Sequence, residues 1–340
     1  MIEAPIIVGR GLSGGRRGAA YMSCKVGIAW GEELLDYSFP FPHPFRKERA
    51  IAFYQELGNL VEHLADSIIV VKPEQASLED LLLFHEAGYV DFVRRRSEEG
   101  RGYLDYGDTP AFKGCYEASL YVVGATLKLV KLILAGEINH GFNPVGGLHH
   151  ARRGSAAGFC IFNDAAIAIE YLLRKERLSE ILYVDIDAHH GDGVFYSFYG
   201  DTRVRILDVH QNGRTLYPGT GFPHERGAGN AVGTKLNITL LPGAGDKEFM
   251  EAWNEMAEDF LADSRPEFII LQAGADSLAG DPLTGLNYTE EVHAFVASRL
   301  HKLAHERCNG RLLALGGGGY DISNVAKAWT AVVKALATRS

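Results

Sequence analysis

Three carboxylates and two imidazoles crowd the ten-residue stretch Val184 to Gly193 (VDIDAHHGDG), directly after the apolar run Ile181 to Val184. Donors of these types at that density suit a divalent cation. In an extended chain residues i and i+2 share a face, so Asp187 and His189 can meet one ion while Ile186 turns toward the core. Further along, Asp276 follows the apolar run ending at Ala275, and Tyr320 follows Leu315 and four glycines. Two carboxylates and one imidazole (Asp187, His189, Asp276) leave a coordination position for water, as a catalytic zinc site requires and a closed structural site does not. Oxygen-rich ligation also admits Fe²⁺, Co²⁺ or Mn²⁺.

A divalent ion lowers the pKa of its water toward neutrality and polarises a carbonyl, a combination suited to amide hydrolysis. The tandem His149 and His150, in the loop Gly146-Gly147-Leu148-His149-His150, can accept and return the proton. Asp185 and Asp192 are the carboxylates available to orient them through Nδ1. The glycines Gly316 to Gly319 carry no phosphate-loop pattern. They read as backbone that makes room for a substrate and delivers the Tyr320 hydroxyl to a developing oxyanion.

The elements that must hold these groups are legible as short β-branched runs: Val26 to Ala29, Ile68 to Val71, Ile181 to Val184, Val204 to Val209, Leu236 to Leu240, Phe268 to Leu271 and Leu312 to Leu315. Apolar residues at helical spacing predict helices over Glu117 to Ala135, Asp164 to Arg174, Lys247 to Leu261, Thr289 to Glu306 and Ser323 to Ala337. This alternation predicts an α/β fold, a mostly parallel sheet with helices on both faces. The Gly/Pro-rich stretches Gly141 to Gly158, His210 to Gly233 and Ala273 to Gly285 are long for connectors, and ligands of open α/β sheets bind beyond the strand C-termini where such loops meet.

The 340 residues contain no repeat or linker that divides them, and one domain is expected. With 34 Lys and Arg against 43 Asp and Glu, the net charge of −9 argues against nucleic-acid binding through general electrostatics and is compatible with cationic substrates such as Lys-rich tails or polyamines. Four cysteines without a C-x-x-C pair, no signal-type apolar run and no membrane-length window lead to an expected cytoplasmic location. An oligomer is left open.

Six motifs, Gly147-Leu148-His149-His150-Ala151, Gly158 to Asp164, Asp185 to Gly193, Tyr217 to Gly221, Gly274-Ala275-Asp276 and Gly317 to Tyr320, together resemble the zinc-dependent histone deacetylase family, in its order, and particularly the prokaryotic acetoin-utilisation deacetylases. The resemblance implies the arginase-deacetylase fold with about eight strands over 1–340, the first 22 residues forming an extension outside the match. It implies zinc ligands Asp187, His189 and Asp276, catalytic His149 and His150 with partners Asp185 and Asp192, and Tyr320 on the acyl carbonyl. It further implies an acyl-lysine tunnel walled by Phe159 and Tyr217, with the Gly158 carbonyl meeting the substrate amide, Asp108 holding the substrate main chain and Arg49 beneath the site. Tyr217 stands where Phe is usual and adds a hydroxyl to the wall.

A potassium ion is implied at the carbonyls of Asp185, Asp187, His189, Asp208 and Val209, where Asp208 replaces a more usual hydroxyl residue and brings an extra charge. Gly191 and Leu278 occupy the positions where a binuclear ureohydrolase would place bridging carboxylates, which argues against that branch. The expected reaction is hydrolysis of N-ε-acyl-lysine in an acylated protein or peptide, with His150 as leading base and His149 supporting charge. Acetylpolyamine amidohydrolysis is the rival, against which Leu283 gives an apolar rim where a Glu would hold the distal ammonium. A non-catalytic acyl-lysine reader, from a different class, would have lost a ligand, a histidine or the tyrosine.

Overall fold

The computed structural model describes residues 24–64 and 66–338; the extension expected over residues 1–22 lies outside them. Eight strands form one sheet: β1 (Val26–Ala29), β2 (Ile68–Val71), β3 (His140–Asn143), β4 (Ile181–Asp185), β5 (Val204–Gln211), β6 (Lys235–Leu240), β7 (Phe268–Gln272) and β8 (Leu312–Leu315). Their order is β2-β1-β3-β8-β7-β4-β5-β6, and every pairing is parallel. The sheet is therefore parallel throughout.

The central strands are buried on both faces. Ile181 to Val184 and Phe268 to Leu271 are wholly inaccessible, which is why they read as continuous apolar runs rather than alternating ones. Burying each Ile, Leu or Val of these strands contributes about 1.5–3 kcal/mol. The helices Glu48–Leu64, Glu290–Arg307 and Ile322–Ala337 pack together as one group, and Cys115–Leu134 packs with Ala87–Glu99 and Asp164–Arg174 as another.

The seven expected strands all form, within two residues of their expected ends. β3 was not among them, and the stretch expected to be a loop from Gly141 begins inside it. It has one bulky apolar residue, Phe142, among His140, Gly141 and Asn143, and it is held between β1 and β8 by backbone pairing that no side-chain pattern announces. The helix expected over Lys247 to Leu261 is interrupted by a π-helical turn at Trp253–Ala257. There the buried Trp253 indole donates to Glu258 Oε1 at 2.8 Å and its ring packs 5.6 Å from that of Phe249, so the widened turn seats a large side chain.

A candidate metal centre with two histidine–aspartate dyads

Because all strands are parallel, their carboxyl ends share one edge; Asp185, Asp208 and Val209 lie on β4 and β5 themselves, and the metal donors and tandem histidines on loops beyond that edge. β4 ends at Asp185, and the chain from Ile186 to His190 is not extended. The i, i+2 alternation expected for Asp187 and His189 is therefore not what joins them. Instead the chain turns, with the His189 N–H donating to Asp187 Oδ1 at 3.0 Å and the Asp187 N–H to Asp185 Oδ1 at 3.1 Å. Ile186 is fully buried, as expected.

Asp187, His189 and Asp276 converge, each offering one ligand atom, all within 4.8 Å of one another. His189 Nδ1 lies 3.1 Å from Asp187 Oδ1 and 3.0 Å from Asp276 Oδ2. Bonds of about 2.0–2.1 Å to a tetrahedral ion would set such edges near 3.4 Å. The donors fit a divalent cation after moving by a few tenths of an ångström. The charges of Asp276 and Asp187 outweigh burial and raise His189 to about 10, while burial, with Asp187 beside it, pushes Asp276 up to about 7.

The surrounding groups fix the orientation of these three donors. Asp187 Oδ2 accepts from the Gly318 N–H at 2.8 Å and from the Gln272 amide at 2.9 Å, and Asp276 Oδ1 accepts from the Ala188 N–H at 2.9 Å. A Cβ at Gly274 would stand 2.0 Å from Asp187 Oδ2, and one at Gly318 would stand 2.1 Å from Asp276 Oδ2. At Gly317 it would meet Gln272 at 2.2 Å, and at Gly316 the Pro144 carbonyl at 2.2 Å. The expectation that Gly316 to Gly319 open space for substrate is corrected: these glycines let the backbone close onto the ligand carboxylates and their supports. Trp329 Nε1 ties the two loops together, donating to Ala273 O at 3.0 Å and Gly316 O at 3.1 Å.

Asn163 positions the tandem histidines. Its Oδ1 caps the helix Asp164–Arg174 through the Ala166 N–H, and its amide donates to the carbonyls of His149 and Ala151. Two dyads result: His149 Nδ1 is 2.8 Å from Asp185 Oδ2, His150 Nδ1 is 2.7 Å from Asp192 Oδ1, and the two Nε2 atoms are 3.1 Å apart. Burial alone would lower His149, but the charges of Asp185 and Asp187 outweigh it and hold the ring at about 9. Burial next to that cation lowers His150 to about 4. One imidazole is thus charged and its neighbour neutral.

Phe159 takes a left-handed backbone (φ 68°), and its ring stands edge-on to Tyr320 with centroids 5.7 Å apart. Gly158 also has positive φ (53°), and a Cβ there would stand 2.4 Å from the His150 ring. The ring of Tyr217, 44% exposed, lies 5.1 Å from that of His150, and no described residue hydrogen-bonds its hydroxyl. Burial, with Asp276 beside it, pushes the Tyr320 hydroxyl well above its ordinary value, so it remains a donor. Asp281 ties the rim to this residue, its Oδ2 accepting from the Tyr320 N–H at 2.7 Å and its Oδ1 from the Leu283 N–H at 2.9 Å. Leu283 is 39% exposed.

Asp108 sits on an exposed loop lining a cleft with Asp105, Arg152, Ser155 and Tyr217. Its Oδ1 accepts from Thr109 Oγ1 at 3.0 Å, which in turn accepts from the Phe159 N–H at 3.0 Å. Arg49 is buried, donating from Nε to Gly319 O and from Nη2 to Gly317 O. Asp208 is fully buried, and its carboxylate is already engaged, with His210 Nδ1 at 2.6 Å and the Gly191 N–H at 2.9 Å. Burial would raise its carboxyl, but His210 and His190 hold it below its ordinary value. Val209 is buried beside it on β5.

At this point comparison with known proteins is decisive: the family model described as histone deacetylase domain matches residues 43–336. The chain belongs to the histone deacetylase family. It is a hydrolytic deacetylase by that membership. It is 40% identical over 304 residues to the acetoin utilization protein AcuC of Bacillus subtilis (strain 168), covering 87% of this chain and 78% of that protein. It is 36% identical over 299 residues to a probable deacetylase of Archaeoglobus fulgidus, covering 87% and 81%. Among solved structures the HDA15 HD domain superposes with a TM-score of 0.85 at 27% identity, covering 93% of this chain and 90% of that one, which shows the deacetylase fold.

Reasoning from residue types missed several supporting groups. Gln272, at the last position of β7, bridges Asp187 and the Gly147 carbonyl. Tyr183 donates to Asp185 Oδ2 at 2.7 Å, Arg152 donates to Asp192 Oδ2 at 2.9 Å, and Asp164 accepts from the Gly147 and Leu148 N–H groups. Only Arg152 carried a usable signal, a cation two residues after the tandem histidines; the others look like ordinary strand and cap residues.

Proposed function

We propose that the protein hydrolyses N-ε-acetyl-lysine in peptides or proteins, using a divalent ion, zinc first, at Asp187, His189 and Asp276, with Fe²⁺ or Co²⁺ as alternatives. The carrying observation is the convergence around this triad of two histidine–aspartate dyads and the protonated Tyr320. When bound, the ion would supply an activated water and polarise the acyl carbonyl. His150, whose ring faces Gly158 and Tyr217, takes the proton from the attacking water and returns it to the departing amine. Asp192, fixed by Arg152, orients its Nδ1. His149, charged and held by Asp185, stabilises negative charge, and Tyr320 donates to the oxyanion. Phe159, Tyr217 and the Gly158 carbonyl grip the acyl-lysine stem, and Asp108 holds the substrate main chain.

The exposed apolar Leu283, anchored through Asp281 to Tyr320, supports a peptidyl substrate over an acetylpolyamine, whose distal cation it cannot pair. A potassium ion at the carbonyls of Asp185, Asp187, His189 and Val209 and at Asp208 belongs to the same proposal. The carbonyls of Asp187 and His189 accept no backbone hydrogen bond from described residues, which supports it; His210 answers the Asp208 charge from within the chain. We also assign the whole chain to one catalytic domain working in the cytoplasm. Among described residues no helix is long and apolar enough to cross a membrane.

The test is amine release from an acetyl-lysine peptide by zinc-loaded protein, before and after a chelator, with N-acetylputrescine in parallel. Chelator-sensitive turnover favouring the peptide is expected. Preference for N-acetylputrescine would transfer the assignment to the polyamine reaction, and inertness toward both would reject catalysis on acetylated amines.

A further inference from the structure

A second group of metal donors lies at the opposite edge of the sheet. Cys24, one residue before β1, His140, the first residue of β3, and His301 and His305 on the helix Glu290–Arg307 each present one ligand atom, all within 4.8 Å of one another. Cys24 and His140 sit at the amino ends of their strands, whereas the loops of the candidate metal centre leave the carboxyl ends. Four residues of strand, about 13 Å, separate the two regions. Nothing in the proposed reaction uses this cluster.

Two edges of the cluster have the lengths of tetrahedral coordination. A zinc ion bound by imidazole at about 2.0–2.1 Å and thiolate at about 2.3 Å places neighbouring nitrogens about 3.4 Å apart and sulfur about 3.6 Å from nitrogen. Here His305 Nε2 is 3.4 Å from His140 Nε2 and 3.4 Å from Cys24 Sγ. The His301 ring lies 4.8 Å from that of His140 and 4.6 Å from that of His305, centroid to centroid. His301 and His305 are one helical turn apart, which directs two imidazoles from one face to one point.

Hydrogen bonds join His305 to Cys24 and to His140, but among the described residues none reaches His301. His301 is 95% buried, at 5% exposure, yet neither of its ring nitrogens has a hydrogen-bond partner among the described residues. His140 is fully buried, and its Nδ1 likewise lacks one. Ligation would engage one nitrogen of His301, which no described residue does. Gly310 closes over the group with φ +78°, where a Cβ would stand 2.9 Å from His305 Cε1. A groove lined by His301, Lys302, His305 and Glu306 opens the site to solvent, providing an entry path.

We propose that Cys24, His140, His301 and His305 form a second, structural zinc site that fastens the segment before β1 to β3 and to the helix Glu290–Arg307. Four protein ligands close the coordination sphere and leave no position for substrate, and a thiolate with three imidazoles selects zinc over the hard cations. Binding releases the thiol proton of Cys24. This assignment is independent of the proposed catalytic function.

Cobalt distinguishes the two sites, because the catalytic triad has only oxygen and nitrogen donors and cannot give a thiolate-to-cobalt charge-transfer band. Wild-type protein stripped of metal and titrated with Co²⁺ is expected to develop that near-ultraviolet band, complete by two equivalents because the triad also takes cobalt. The band should vanish in Cys24→Ser, shift in His301→Gln and persist in Cys308→Ser. Zinc content after dialysis against excess zinc should fall from two per chain in wild type to one in Cys24→Ser. No thiolate band in the wild type, a band that survives Cys24→Ser, or one equivalent of zinc in both proteins would overturn the proposal. Should the variants not fold, the wild-type spectrum and zinc content decide it alone.

Discussion

Gly318 offers a clean perturbation of the catalytic centre, because its backbone is not in the left-handed region and alanine there is opposed by contact alone. The new Cβ would stand 2.1 Å from Asp276 Oδ2 and 2.9 Å from Asp187 Oδ2. Contacts below 3.0 Å are essentially never tolerated, so the Asp276 carboxylate must retreat by about 0.9 Å, against a tolerance of about 0.2 Å in metal–ligand distances. Loss of a single supporting contact behind a ligand already costs about 10–100-fold in metal affinity. Displacing a ligand should therefore cost at least about 100-fold, or about 2.8 kcal/mol, and a similar factor in turnover from misplacement of the reacting groups. Competition with a chelator of known affinity reads the first quantity, and amine release at saturating zinc reads the second. Gly88→Ala, on a helix with nothing within 4 Å of the new Cβ, serves as the control and should change neither. If Gly318→Ala binds zinc as tightly as wild type and turns over normally, the close approach of this backbone to the carboxylates is not what organises the centre.

Tyr320→Phe should lower kcat by about 10²–10³ while leaving zinc content intact, and an unchanged kcat would remove its hydroxyl from oxyanion stabilisation. Arg49→Met strips the donors from two buried carbonyls, at Gly317 and Gly319, and should cost at least about 2 kcal/mol in urea unfolding together with a fall in kcat; unaltered unfolding would refute that bracing role. Burial and the neighbouring Asp105 raise Asp108 to about 6, so its anchoring charge is present above that pH and lost below it. KM for an acetyl-lysine peptide should therefore rise as pH drops through 6, KM for a substrate lacking main-chain amides should not, and Asp108→Asn should abolish the difference. Leu283→Glu should shift kcat/KM from peptide toward N-acetylputrescine by about tenfold or more, and no shift would detach the rim from selectivity.

The converging donors Asp187, His189 and Asp276 were legible because they follow apolar runs, and a buried strand that ends in carboxylates has few other uses for them. What could not be read was the matter behind those groups. Gln272 and Tyr183 look like any strand residue until the neighbouring strand places a ligand or a dyad carboxylate within their reach. β3 escaped notice because its pairing is a property of backbone register between β1 and β8, and its side chains alternate neither in size nor in polarity. The helix Ala87–Glu99 was missed because only Tyr89, Val90, Val93 and Ser97 are buried, too narrow a stripe amid six charged residues. The helix Glu48–Leu64 was also missed, although Ala50, Phe53, Tyr54 and Leu57 recur at helical spacing and are buried; it is what removes Arg49 from the surface. The His301-x-x-x-His305 pair was visible but reads as part of an amphipathic helix. Cys24 and His140, more than a hundred residues apart, become its neighbours only through the sheet.

The two carbonyls that Arg49 holds lie 268 and 270 residues further along the chain. A ribosome makes this guanidinium long before its acceptors, and Asp276 arrives only about forty residues before them. During most of synthesis the growing polypeptide has neither a complete ligand set nor a finished brace. Chain order therefore sets assembly order: the three proposed metal donors and their Arg49 brace come together only after Gly319 has been made.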